Sequence, residues 1–165
     1  MQTGPAAITS EDLLKLKDVY KTPGHLVRRT QQIAVALFSE ELAEFGVTPV
    51  QFASLIAIRD NPGIDQKRLG HLIAIDRSTI TNVLNGLEKK GFVCRIVPAN
   101  NQRIKQLFTL SAGNELLVDA QKAVLRVQER LLAPLTDEEH ATFIALLTKV
   151  VGGSHAADQV RGPSA

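Results

Sequence analysis

Ser78, Thr81, Asn82 and Asn85 recur at helical spacing and carry short, neutral side chains that both donate and accept hydrogen bonds. Offset by two residues, Ile80, Val83, Leu84 and Leu87 repeat the same spacing with aliphatic groups. Two residues turn an α-helix by roughly 200°. The two rows therefore face opposite ways, one into a core and one outward. The outward row is almost free of Glu and Lys until Glu88, whereas an ordinary solvated face holds more charge. Hydroxyls and amides bond base edges and phosphates and touch thymine methyls, as a helix in a major groove must. Taken alone, the row also fits an amphipathic helix that is simply rich in Ser, Thr and Asn.

The flanking segments supply what such a helix needs. Asp76 is a good N-cap and Gly91 a good stop, so the helix spans Asp76 to Lys90. Before it, a compact helix from about Asp65 to Ile73 offers Leu69, Leu72 and Ile73 to the core and Lys67 and Arg68 to the outside. Ala74-Ile75 joins the two tightly. One helix braces and the second enters a groove by its N-terminal part, which is helix-turn-helix logic. After it come two strand-like runs, Phe92 to Val97 and Lys105 to Leu110, around the polar loop Pro98 to Gln102. The hairpin tip carries Asn101, Gln102 and Arg103, with Arg95 and Lys105 behind it. A cationic tip fits an A·T-type minor groove, although Lys and Arg at a tip also serve solubility.

Charge follows the same division. The chain of 165 residues has a net charge of +2, yet Arg59 to Lys105 holds nine basic residues against four acidic, a local +5 that leaves −3 for the ends. A central lobe facing a polyanion accounts for this. With 44% hydrophobic and 4% aromatic residues and no Trp, the core must be aliphatic and helical. The expected order is a short helix Ser10 to Tyr20, a longer one from the break at Thr22-Pro23-Gly24 to Glu44, and a third opened by Thr48-Pro49-Val50-Gln51. The helix-turn-helix and hairpin follow. A helix from Ser111 to Ala133 and a last one from the capping box Thr136 to Glu139 through Val151 complete the chain. This gives a mainly α fold with one β-hairpin wing: residues 1–9 and 152–165 as flexible ends, 10–47 and 111–151 as flanking helices, and 48–110 as the winged lobe.

Other classes fit less well. No Gly-rich phosphate loop, nucleophile elbow or His-x-x-x-His pair occurs, and His25, His71, His140 and His155 are scattered. Neither an enzyme, a cofactor nor a metal site is expected. No apolar run approaches the roughly 18 residues that span a bilayer, no secretory signal is visible, and the lone Cys94 allows no internal disulfide. The expected location is the cytoplasm, with no membrane partner. A helical interaction protein without DNA binding would not need the basic winged lobe.

The sequence resembles the MarR family of bacterial transcription regulators from about Pro23 to Val151. The residues that carry the resemblance are Leu69, Gly70 and Ile73, then Asp76, Arg77, Ser78, Thr79, Thr81, Val83, Leu84, Leu87, Glu88, Lys90, Gly91, Phe92 and Val93, then Leu110, Ser111 and Gly113. The resemblance implies a winged helix-turn-helix and an obligate homodimer through the N- and C-terminal helices. It implies a palindromic operator in double-stranded DNA, read by helices in successive major grooves, with repression as the default output. Ser78, Thr79, Thr81, Asn82 and Asn85 fall at groove-facing positions, and Arg103 at the wing-tip arginine. The family wing usually reads Asp-x-Arg. Here Asn101-Gln102-Arg103 replaces it, so an amide stands where an acid normally steadies the arginine.

Family members often respond to small aromatic acids held between the dimer helices and the DNA lobe. The run from Thr22 to Arg29 resembles the start of the first core helix in branches that control aromatic-acid breakdown, nicotinate-type repressors among them. A carboxylate ligand needs a cation or donor in an apolar pocket. The candidates are His25, Arg28, Arg29 and His71, with Phe38 and Phe52 as walls. Arg28 and Arg29 equally suit salt bridges within a dimer, and His71 a satisfied helix position. Redox-sensing members use a reactive cysteine. Cys94 alternates with Phe92 and Ile96 on the expected core side of the wing, where a buried structural thiol is the simpler reading.

Overall fold

The computed structural model describes residues 15–99 and 104–160. Helices α1 (Leu16–Val19) and α2 (Pro23–Glu41) are followed by a 3₁₀ turn, Ala43–Phe45, which Gly46 closes. Then come α3 (Pro49–Asp60), β1 (Ile64–Asp65), α4 (Gln66–Leu72), α5 (Arg77–Lys89), β2 (Val93–Ile96), β3 (Gln106–Thr109), α6 (Ser111–Asp119), α7 (Gln121–Leu132) and α8 (Asp137–Val160).

The starts that the sequence marks are made by the marked residues. Thr48 Oγ1 accepts from the Gln51 amide at 3.2 Å while Gln51 Oε1 accepts from the Thr48 amide, a reciprocal cap for α3. Thr136 and Glu139 do the same for α8. Asp65 caps α4 through the Arg68 amide at 2.9 Å. Gly91 adopts φ +73° after α5, and the following Phe92 amide bonds the Leu87 carbonyl at 3.0 Å.

The core of the winged lobe joins Leu55 and Ile58 of α3, Leu69 of α4, Ile80, Leu84 and Leu87 of α5, and Val93 and Leu107 of the sheet. All are buried, so the aliphatic row of α5 points inward as its spacing predicts. Gly113 lies where α6 crosses the start of the wing. A Cβ there would sit 2.4 Å from the Phe92 carbonyl oxygen, so only glycine permits the approach.

Several expectations are corrected. The expected hairpin is present as β2 and β3, and a third short strand extends it in the antiparallel order β1-β3-β2; Ile64 pairs with Leu107 and Asp65 with Gln106. Arg95 pairs with Leu107 and Val93 with Thr109, which puts Val93 and Arg95 on the core face. Cys94 and Ile96 lie on the other, the reverse of the expected phase. Cys94 is half-buried opposite Phe108, and Ile96 is exposed. Leu72, expected in the core, is 58% exposed at the last turn of α4. The single helix from Ser111 to Ala133 is two helices meeting at the fully buried Ala120. The bend lets α6 pack on α3 and α7 on α2. α1 begins at Leu16; the expected start, Ser10, lies outside the described residues. At the far end α8 continues past Val151 to Val160.

α7 is tied to α2 by Arg126–Glu41 at 2.7 Å, Arg130–Glu41 at 2.7 Å and Arg130–Glu40 at 3.1 Å. Two guanidinium groups, Arg126 first, hold the Glu41 carboxyl below its ordinary range. By contrast, α8 uses little of its apolar surface within its own chain. Phe143 and Leu147 are half-buried, while Ile144, Leu146 and Val151 are exposed, as are Leu26, Val27 and Ile33 on α2. Among the described residues no helix is long and apolar enough to cross a membrane.

Candidate nucleic-acid interface

α5 is positioned from both ends and from behind. At its start Asp76 Oδ1 accepts from the Ser78 and Thr79 amides, each at 2.9 Å. Ser78 Oγ donates to Oδ1 and Thr79 Oγ1 to Oδ2, both at 2.6 Å. These bonds, led by the Ser78 and Thr79 hydroxyls, hold the Asp76 carboxyl far below the usual carboxylate range. At its far end Lys90 Nζ bonds the Gly46 carbonyl and, at 3.3 Å, Gln51 Oε1. Behind it lies the core. The turn from α4 is closed by the Ile75 amide on the Gly70 carbonyl at 2.9 Å, and it carries Ala74 at φ +54°.

The outward row lies where its spacing predicts. Ser78, Asn82 and Asn85 are exposed; Thr79 and Thr81 are half-exposed. The side chains are not equally available, however. The hydroxyl hydrogens of Ser78 and Thr79 are directed at Asp76, so outward each shows lone pairs. Thr81 Oγ1 donates to the Arg77 carbonyl at 2.8 Å and accepts from Gln66 Nε2 at 2.6 Å. Asn85 Oδ1 accepts from Arg95 Nη2 at 2.9 Å. Among the described residues Asn82 has no such partner, and its amide keeps its full set of donors and acceptors.

Lys67, Arg68, Arg77 and Lys105 are exposed and form no side-chain ion pair among the described residues. Arg95 does not belong with them. It is held inward by Asn85 and by Glu88 at 3.4 Å, with 17% of its side chain exposed. It braces α5 against β2 instead of standing free behind the wing tip. Asn101 and Arg103, the expected tip residues, lie outside the described residues. Gln66 is a further polar group on this face, placed by its bond to Thr81 at the seam of α4 and α5. The one signal for it in the sequence is its place at the first position of α4, which reads as an ordinary helix start.

The candidate ligand residues fall into separate groups. Phe38 and Phe52 are buried and meet edge to face with centroids 5.9 Å apart, where α2 crosses α3. His25, in the first turn of α2, lies against Tyr20 at 5.2 Å. Arg28 and Arg29 are exposed one turn on, and His71 is exposed near the end of α4. No hydrogen bond, ion pair or ring contact among the described residues joins these four to Phe38 or Phe52.

Comparison with known proteins places this architecture. The profile described as MarR family matches residues 47–105, which run from the loop before α3 to the residue before β3. A Thauera aromatica protein assigned to transcriptional regulation of the hcr operon is 34% identical over 128 residues, 77% of each chain. The PcaV transcriptional regulator from Streptomyces coelicolor, solved with its natural ligand, superposes with a TM-score of 0.77. It is 30% identical over 86% of this chain and 99% of its own. A MarR variant from E. coli in complex with operator DNA gives a TM-score of 0.75 at 27% identity, over 83% and 99%. With its helix-turn-helix, its three-stranded wing and these relatives, the chain belongs to the MarR family of DNA-binding transcriptional regulators.

Proposed function

We propose that this chain acts as a homodimer on a palindromic operator in double-stranded DNA, represses transcription there, and is released by a small aromatic carboxylic acid such as a nicotinate derivative. The observation that carries the DNA part is the outward face of α5. Among the described residues Asn82 has no side-chain partner, and Lys67, Arg68 and Arg77 of α4 and α5 are exposed, as is Lys105 on the wing. Base edges are read by Asn82 and Asn85, phosphates by the cations and the start of α5, and a minor groove by Arg103. The exposed aliphatic residues of α2 and α8, Leu26, Val27, Ile33, Ile144, Leu146 and Val151, support two-fold association through those helices. On this reading residues 10–47 and 111–151 form the dimer body and 48–110 the DNA lobe.

The effector reading is supported by the likeness to a regulator solved with its natural ligand. It is supported also by donors that could hold a carboxylate: His25, Arg28 and Arg29 on α2 and His71 on α4. A carboxylate held by one of them would bear on how α2 sits over the lobe; Phe38 and Phe52, packed against each other in the core, could wall the ligand only if they moved. Two titrations test the proposal. Binding to a pool of random-sequence duplexes should weaken steeply as salt rises, by counterion release; a flat response contradicts DNA binding. Hydroxylated nicotinates and benzoates, added to the protein–DNA complex up to millimolar levels, should release it; if none does, the effector class is wrong. Cys94, half-buried across from Phe108, gains no support as a redox trigger from its position. A peroxide response in a promoter assay that Cys94→Ser abolished would restore that reading.

A further inference from the structure

Arg95 is set on β2 with its backbone in register with Leu107, a fully buried residue of β3. Its stem therefore runs along the core face of the sheet. At the end of that stem, Nη2 donates to Asn85 Oδ1 at 2.9 Å, Nη1 lies 3.4 Å from Glu88 Oε2, and Nε is buried without a partner. The unpaired Nε counts against the inward position, but to swing out to a phosphate the side chain would have to give up both Asn85 and Glu88.

The contact with Asn85 has a chemical consequence. A guanidinium only donates, so the atom of Asn85 that faces it must be the carbonyl oxygen, and the amide is fixed in one sense. Its –NH₂ is left for the exposed side of α5. Asn82, about one turn earlier on the same face, has no such tether among the described residues. From this we infer that Arg95 is a positioning residue that makes Asn85 a one-sided donor. Asn85 then selects a base with an acceptor in the major groove, guanine through O6 or N7 or thymine through O4. With its oxygen engaged by Arg95, one of the two lone pairs is already used, which disfavours the paired donor-and-acceptor contact by which a free asparagine reads adenine. Asn82 keeps that contact. The inference rests on the reading that α5 enters DNA.

Selection of bound duplexes from random DNA, run on the full chain, tests it when wild type, Arg95→Met, Asn85→Ala, the double variant that combines these two, and Asn82→Ala are compared. Methionine retains most of the stem without the guanidinium, and Asn85→Ala is a surface change on a helix that tolerates alanine. Wild type should prefer guanine or thymine at one base pair of each half-site. Arg95→Met and Asn85→Ala should each lower that preference by about fivefold, the size of one hydrogen bond, at the same base pair. The double variant should lose no more than either single one, and Asn82→Ala should alter a different pair. Arg95→Met weakening all duplexes alike, with the salt slope falling by about one unit, overturns the inference in favour of a phosphate contact. It is overturned equally if Asn85→Ala leaves the preference intact, or if the base so chosen is adenine. A wild type that enriches no sequence overturns the DNA reading itself, and this assignment with it.

Discussion

Two side chains on one helix face, Asn82 and Asn85, have the same chemistry and different freedom. The spacing of Ser78, Thr81, Asn82 and Asn85 was sufficient to say that they share a face, and that face is outward. It could not say which of their donors and acceptors were already used, because the partners come from elsewhere: Gln66 from α4 and Arg95 from β2. Arg95 is misjudged from sequence for a specific reason. A four-residue strand gives two possible phases, and the apolar residues Phe92, Cys94 and Ile96 suggest the wrong one. Two consequences follow at this scale. Asn82→Ala should shift base preference at one operator position with little change in affinity for unrelated DNA, measured by competition with single-substitution duplexes. Asp76 has its carboxyl held low by the Ser78 and Thr79 hydroxyls. Its stabilising effect is therefore complete above the ordinary aspartate value of about 3.9 and is lost as pH falls below that toward the lowered folded value. Asp76→Ala should lower the melting temperature at pH 7, and the gap to wild type should narrow in that acid range. A gap that is constant with pH would contradict the cap.

Elements were legible in proportion to their length and their caps. The reciprocal caps at Thr48–Gln51 and Thr136–Glu139 start α3 and α8 at the marked residues. By contrast, β1 is two residues long and has no periodicity to read; it exists because β3 offers a free edge. The break at Ala120 carries no Gly, Pro or cap signal, and it is imposed by two packing partners, α3 and α2, lying in different directions. Leu84 is fully buried at the centre of the lobe. Leu84→Ala should destabilise by about 2–5 kcal/mol through the cavity left behind; an unchanged melting temperature would contradict its burial. Ala74 holds a left-handed backbone conformation in the turn between α4 and α5. Ala74→Gly should stabilise by up to about 1 kcal/mol, the relief of strain less the entropy that glycine adds to the unfolded chain. A clear loss of stability in denaturant titration would show that the turn is not strained there.

For the whole molecule, the charge division along the chain, +5 in the middle and −3 at the ends, corresponds to a lobe with exposed cations and flanking helices with exposed aliphatic faces. The aliphatic residues on α2 and α8 were visible in the sequence as core candidates. Their exposure was not, because burial within one chain and burial between two chains leave the same periodic pattern. Arg103, which the sequence leads one to expect at the wing tip, belongs to this scale because there it would reach a groove that α5 does not enter. Arg103→Ala should weaken binding to most duplexes and lower the salt slope by about one unit. Unchanged affinity would show that the wing does not touch DNA. The central claim, that two copies of this α5 face read one duplex, is tested most directly by sequencing the sites that the wild-type protein selects from random DNA. The account predicts an inverted repeat whose half-sites are centred about one helical turn apart, roughly 10–10.5 base pairs. A selected site without two-fold symmetry, or no enrichment at all, would contradict it.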